Sequence, residues 1–206
     1  MQLLFVKIYK IIKRVKFYFL QPIDWFFSFC LLYLNGCKFH SFLSIGIPYI
    51  NVSIGGKCII GAKFRMNNRV SSNPIGRFNS CSIVVGRKGT LVIGKNVGMS
   101  STAIVCHEKI EIGDNVKFGG NVVIYDTDFH SLNSQDRLNP DKDIIGTKTK
   151  SILIGNNVFV GAHTTILKGV SIGDNSVVGA CSVVTKDIPS NEIWAGSPIK
   201  FIRLVH

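Results

Sequence analysis

Acidic side chains are scarce in this chain, 12 against 24 basic ones over 206 residues, which leaves a formal charge of +12. That imbalance disfavours a cationic partner and favours an anionic one: a membrane surface, a nucleotide-bearing cofactor or nucleic acid. No nucleic acid is expected, because no run in the repeat-bearing part combines basic residues with exposed aromatics. CxxC spacing is missing as well. The cysteines (Cys30, Cys37, Cys58, Cys81, Cys106, Cys181) are scattered, which predicts a reduced, cytoplasmic chain. The N-terminus also lacks the unbroken apolar core of a signal peptide, because lysines interrupt it.

Neither a helical period nor a two-residue alternation governs the C-terminal half. Ile154, Val160, Ile166, Ile172, Val178 and Val184 fall on a strict six-residue step, and Gly155, Gly161, Gly173 and Gly179 follow four of them. Four residues after each aliphatic stands Val158, Thr164, Val170, Ser176, Ser182 or Ile188. Short strands joined by regular corners give this pattern, each aliphatic pointing into the axis of a coil. The reading is a parallel β-helix of triangular coils, three hexads to a coil.

The register reappears upstream in less regular form. Ile54-Gly55, Ile60-Gly61 and Met66 read as one coil; Ile75-Gly76, Val85-Gly86 and Ile93-Gly94 mark an irregular stretch. Ile93, Met99 and Val105 step by six, the chain slips by one to Ile112, then resumes at Phe118 and Ile124. From Ile124 to Ile154 is a further multiple of six, so the array survives an excursion over residues 126–151. Solenoids tolerate imperfect coils because each coil packs only on its neighbours, and loops leaving a scaffold commonly carry function. The expected organisation is a basic, apolar helical segment over 1–50, a β-helix over 51–190 and a tail over 191–206.

From Leu3 to Leu20 the chain is apolar except for Lys7, Lys10, Lys13, Arg14 and Lys16. Most of these charges fall on one helical face, an arrangement suited to the headgroups of an anionic bilayer. The aromatic run after Pro22, Trp25 to Leu34, is too short for an ordinary transmembrane span. Residues 1–35 are therefore expected either to make peripheral membrane contact at the inner face of the cytoplasmic membrane or to pack on the β-helix or on a neighbouring subunit.

Ile112-Gly113-Asp114-Asn115-Val116, Asp126-Thr127-Asp128-Phe129-His130, the hexad run, Val184-Thr185-Lys186-Asp187-Ile188-Pro189 and Ala195-Gly196-Ser197-Pro198 together resemble the hexapeptide-repeat acyltransferases. The nearest branch is that of the maltose and galactoside O-acetyltransferases, and within it the O-acetyltransferases of surface-polysaccharide biosynthesis. The resemblance covers roughly residues 50–205. It implies a left-handed β-helix, an exception to right-handed crossovers, a homotrimer, and acetyl-CoA bound in the groove between subunits.

Transfer of an acetyl group from a thioester to an alcohol needs a base at the hydroxyl and a donor at the developing oxyanion. Of His40, His107, His130, His163 and His206, His130 stands at the mouth of the excursion and occupies the family's catalytic motif, which implies the general base. The maltose and galactoside enzymes carry an asparagine and an acidic residue one coil earlier. Here Met99-Ser100-Ser101 and Cys106-His107-Glu108 stand in that region, so the identity of the sugar stays open. Ser101, His107 and Glu108 are candidate acceptor contacts. Asp126 and Asp128 could bind sugar hydroxyls or orient His130, although aspartate also shapes loops. Cys106 could in principle carry an acyl group, but direct transfer is favoured.

The resemblance further implies a pantetheine path along Gly119, Ala162 and Ala180, then Thr185 and Lys186, with Lys200 and Arg203 at the CoA phosphates. Corner geometry alone would also require the small residues. No metal is expected. A γ-class carbonic anhydrase shares the coil but needs closely paired zinc-binding histidines, and no HxxxxH occurs. An amino-sugar N-acetyltransferase and a xenobiotic O-acetyltransferase remain open alternatives. The intact loop motif and basic tail argue against a non-catalytic scaffold.

Overall fold

The computed structural model describes residues 1–73, 75 and 79–205. Gly76 and His206, both named above, lie outside the described residues. A long N-terminal helix, α1 (Gln2–Leu34), precedes a left-handed parallel β-helix with three faces. The first face stacks Lys38–Phe39, Lys57–Ile60, Thr90–Ile93, Lys109–Ile112, Ile152–Ile154 and Ser171–Ile172. The second runs from Phe42–Ile45 through Phe64–Asn67, Gly98–Ser100, Lys117–Gly120, Phe159–Val160 and Val177–Val178, and ends in a hairpin of Glu192–Ala195 and Lys200–Leu204. Tyr49–Val52 to Val183–Val184 form the third.

The strict hexads do what their spacing requires. Ile154, Val160, Ile166, Ile172, Val178 and Val184 are all buried, and so are Val158, Thr164, Val170, Ser176, Ser182 and Ile188. Each hexad thus supplies two inward side chains. Each coil leans on the next, so its burial depends on its neighbours. At one corner Asn96, Asn115, Asn157, Asn175 and Asn191 adopt left-handed backbone, φ 55 to 64°. Each of the first four donates its amide to the next at 2.9 to 3.0 Å. Asparagine suits this corner because it tolerates that conformation and pairs with its own kind.

The upstream register differs in three places. Ile54 is 95% exposed in a turn; the second coil points Cys58, Ile60, Phe64 and Met66 inward instead. Val105 faces outward between buried Ile104 and Cys106. The one-residue slip therefore falls between Met99 and Cys106, at the corner where Ser101 takes φ 48°, and Cys106, Ile112, Phe118 and Ile124 then step by six. The β-helix also begins earlier than residue 51. Strands Lys38–Phe39, Phe42–Ile45 and Tyr49–Val52 pair with the second coil as a complete first coil.

Helix α1 runs unbroken through Pro22. It is held by tertiary contacts: Gly46 N–H donates to Asp24 Oδ2 at 2.8 Å, Arg69 pairs with Asp24, and Gln21 donates to the Ser44 carbonyl at 2.9 Å. Trp25 stacks on Phe42 with centroids 5.8 Å apart. Ser28 and Leu32 are buried below it. Because the two apolar stretches form one helix, α1 as a whole is long and apolar enough to cross a membrane, with a mean hydropathy of 1.3 over its most apolar stretch. The aromatic run from Trp25 to Leu34 is thus one part of a longer helix rather than a segment by itself.

Candidate active site

The excursion leaves the third face after Tyr125 and returns at Ile152. Thr127 and Thr149 bridge its neck in antiparallel fashion, and Asp128 N–H donates to the Lys148 carbonyl at 3.0 Å. Its distal part holds a short helix, α2 (Pro140–Gly146), whose N-terminus is capped by Asn139 accepting from the amides of Asp141 and Lys142. Proline at the first helical position and asparagine before it fix where α2 starts.

That start places Asp143 against His130. His130 Nδ1 lies 2.7 Å from Asp143 Oδ2, and Ser131 N–H donates to the other carboxylate oxygen at 2.6 Å. The hydrogen bond from His130, then that from Ser131, holds the Asp143 carboxyl below the usual aspartate range. An ionised Asp143 accepts the Nδ1 proton, so the neutral imidazole carries its lone pair on Nε2. The His130 side chain is 70% exposed. Phe129 sits beside it with φ 64°, in the left-handed region, packed on Tyr125 at 5.3 Å and edge-on to His107 at 6.3 Å between centroids.

The other expected acceptor residues divide. His107 faces this cluster through Phe129, whereas Asp128 Oδ1 pairs with Lys168 Nζ at 2.8 Å and its Oδ2 is buried with no partner among the described residues. Two expectations, for Asp126 and Ser101, are corrected. Asp126 is fully buried beneath the 107–109 turn and accepts the backbone N–H groups of His107, Glu108 and Lys109 at 2.7 to 2.8 Å. It shapes that turn, while Asp143 orients His130. Ser101 is buried and its hydroxyl accepts from Asn73 at 2.8 Å. The exposed Glu108 carboxylate takes hydrogen bonds from Thr149 and Ser151 at the neck of the excursion, and these hold it below the usual glutamate range. Burial first, then the Asp126 charge, pushes the Cys106 thiol up to about 12, which favours the neutral thiol at neutral pH.

Gly119, Ala162 and Ala180 stack in one column on successive coils. A Cβ on Gly119 would lie 2.6 Å from the Ala162 amide nitrogen, and Cys181 N–H donates to the Ala162 carbonyl at 2.8 Å. Thr185 and Lys186 are exposed at the following corner. The Lys186 ammonium stands 5.1 Å from the Trp194 ring centroid, a cation–π contact. Lys200 and Arg203 lie exposed on the terminal hairpin, opposite Ala195 and Ile193. Small residues admit close approach to the backbone, and the three cations supply donors for phosphate. Among the described residues no hydrogen bond or ion pair joins this column to the His130 cluster.

Asp143 and Lys168 escaped the sequence reading, and Phe129 entered it only as part of the His130 motif. The Asn139-Pro140 pair carries a helix-start signal, but the turn of α2 that faces His130 is set by tertiary packing.

The family model described as bacterial transferase hexapeptide (six repeats) matches residues 151–186. Over those residues the chain carries the hexapeptide repeats of that family. It is 42% identical over 115 residues to a galactoside O-acetyltransferase of Escherichia coli, spanning 55% of this chain and 54% of that one. It is 39% identical over 126 residues to a polysialic acid O-acetyltransferase of Escherichia coli, spanning 58% of this chain and 38% of that one. The chain thus spans about half or less of the length of these curated relatives. Among solved structures, a hexapeptide-repeat acetyltransferase of Vibrio cholerae complexed with acetyl coenzyme A superposes with a TM-score of 0.52 at 30% identity, covering 61% of this chain and 64% of that one.

Proposed function

We propose that this hexapeptide-repeat protein transfers an acetyl group from acetyl-CoA to a hydroxyl of a cell-surface polysaccharide or its precursor. The observation that carries the reading is the His130–Asp143 pair at the excursion, with Nε2 of an exposed imidazole free to take a proton. His130 removes the acceptor hydroxyl proton as that oxygen bonds to the acetyl carbonyl carbon. The C–S bond breaks, and the same proton passes from Nε2 to the departing thiolate. Asp143 is a positioning residue that holds the tautomer and offsets the imidazolium charge.

The names of the relatives support a saccharide acceptor, and the Vibrio cholerae complex supports acetyl-CoA as donor. The cofactor path is the Gly119, Ala162 and Ala180 column, then Thr185 and Lys186, with Lys200 and Arg203 toward the phosphates. A homotrimer would complete this path with a neighbouring subunit. The acceptor would be lipid-linked, and α1 would hold the enzyme at the inner face of the cytoplasmic membrane. The test is thiol release from acetyl-CoA with a panel of mono- and oligosaccharides and mass spectrometry of the products. Acceptor-dependent release with a gain of one acetyl group, lost in His130→Ala, is the expected result. Failure to bind CoA would overturn the reading.

A further inference from the structure

Helix α1 presents two opposed faces. At 3.6 residues per turn, Lys10, Arg14, Gln21, Asp24, Ser28 and Leu32 share one stripe. Its C-terminal half is the stripe that docks on the first coil through the Asp24 and Gln21 hydrogen bonds and buried Ser28 and Leu32. The cationic N-terminal half therefore continues along the side of the helix that faces the β-helix. On the opposite side Phe5, Phe19, Ile23, Phe26 and Tyr33 are apolar and exposed, from 40% at Ile23 to 73% at Phe19, while Ile12 between them also lines the groove beside the helix.

No acidic residue occurs before Asp24, while five basic ones do. Between α1 and the turn containing Val70–Ser72 lies a groove of about 760 Å³, lined by Lys13, Arg14, Phe17, Asp24, Arg69 and Ser71 among others. Lys13, Arg14 and Arg69 outnumber the single carboxylate there. Asp24 is also the one charged residue between Phe17 and Leu34, and it is bound to the first coil. The most apolar part of the helix is thus the part fastened to the body, and it cannot cross a bilayer without releasing Gly46 and Arg69.

We propose that α1 lies in the plane of an anionic phospholipid bilayer, its apolar stripe in the acyl boundary, the β-helix on the aqueous side and lipid phosphates in the basic groove. This rests on the peripheral membrane contact proposed above and adds its orientation and the groove that takes the phosphates. An in-plane helix with a basic polar face and an apolar opposite face binds a bilayer by buried area and charge together. Arginine provides forked donors matched to phosphate oxygens.

The experiment is cosedimentation of the full chain with vesicles of phosphatidylcholine alone or with added phosphatidylglycerol, together with external protease on a chain carrying an N-terminal epitope tag. The expected result is preferential binding to the anionic vesicles, a tag cut from outside, and roughly thirtyfold weaker binding in Lys13→Gln/Arg14→Gln, about fivefold per charge. Neither residue belongs to the catalytic cluster, so acetyl transfer to a soluble acceptor should be unchanged in that variant. A protected tag would mean a spanning helix and would overturn the in-plane orientation. Equal binding to both vesicles, unaffected by the charge variant, would overturn the phosphate groove while leaving membrane contact standing. No binding to either vesicle, with Phe19→Ser/Phe26→Ser changing the oligomeric mass, would assign the stripe to a second copy. It would overturn membrane contact as well, without bearing on the transferase chemistry.

Discussion

Replacing Asp126 by alanine tests whether this aspartate builds the turn or greets a substrate. Its two oxygens accept three backbone N–H groups, those of His107, Glu108 and Lys109, from a fully buried position. Each is a charge-assisted hydrogen bond, and each amide left without its acceptor can regain water only by opening the turn. Counting about 1 kcal/mol for each of the three, at the low end because the turn itself is exposed, gives a loss of roughly 3 kcal/mol. For a chain of this size that lowers the melting temperature by about 6 to 12 °C. The assay is thermal unfolding by circular dichroism, paired with amide hydrogen exchange at 107–109. Exchange should accelerate there first, because the damage is local. A variant with unchanged melting temperature and still-protected amides, but a raised KM for the saccharide, would refute the structural role and return Asp126 to the acceptor site.

His130→Ala should lower turnover by about two to four orders of magnitude while leaving thermal stability close to wild type, since the ring is largely exposed; steady-state kinetics and a melt check both. Asp143→Asn should destabilise the excursion at neutral pH, because the native carboxyl is held below its ordinary range. A depressed carboxyl stabilises above its unfolded pKa and loses that contribution as pH falls through the folded value. The difference between wild type and variant in denaturant unfolding should therefore shrink below about pH 4. Cys106 should resist iodoacetamide at pH 8 in the folded protein while exposed Cys181 reacts, as peptide mass mapping would show, and Cys106→Ala should retain acetyl transfer. Ala180→Glu, which adds a bulky anion to the small-residue column, should abolish CoA binding in calorimetry without lowering the melting temperature.

The regular coils were legible because Ile154 to Val184 repeat without a break, so spacing alone assigns the inward face. The first coil was not, because its inward positions carry residues such as Ser44 that do not advertise a core. Val105 misled for a related reason: Ile104, Val105 and Cys106 are all apolar, and an apolar triplet does not say which members point inward. His130 could be reached from the chemistry of an exposed loop histidine and from its motif. Asp143 could not, since its side chain meets His130 only after α2 turns back across the excursion. Asp24 likewise reads as one acid in a greasy helix until its hydrogen bond to Gly46 appears.

The asparagine ladder has a direction. Every rung donates the same way, from Asn96 toward Asn191, so the amide dipoles add along the coil axis and each bond polarises the next. It starts at Asn96, whose own side-chain oxygen lies 3.4 Å from the Lys117 ammonium. Hydrolysis of one rung to aspartate, the ordinary ageing reaction of asparagine, exchanges a donor for a second oxygen. Two acceptors then face each other across a coil boundary, and the aligned series divides into two shorter ones. A lesion at Asn157 would do more harm than one at Asn191, which accepts at the end of the series and passes nothing on.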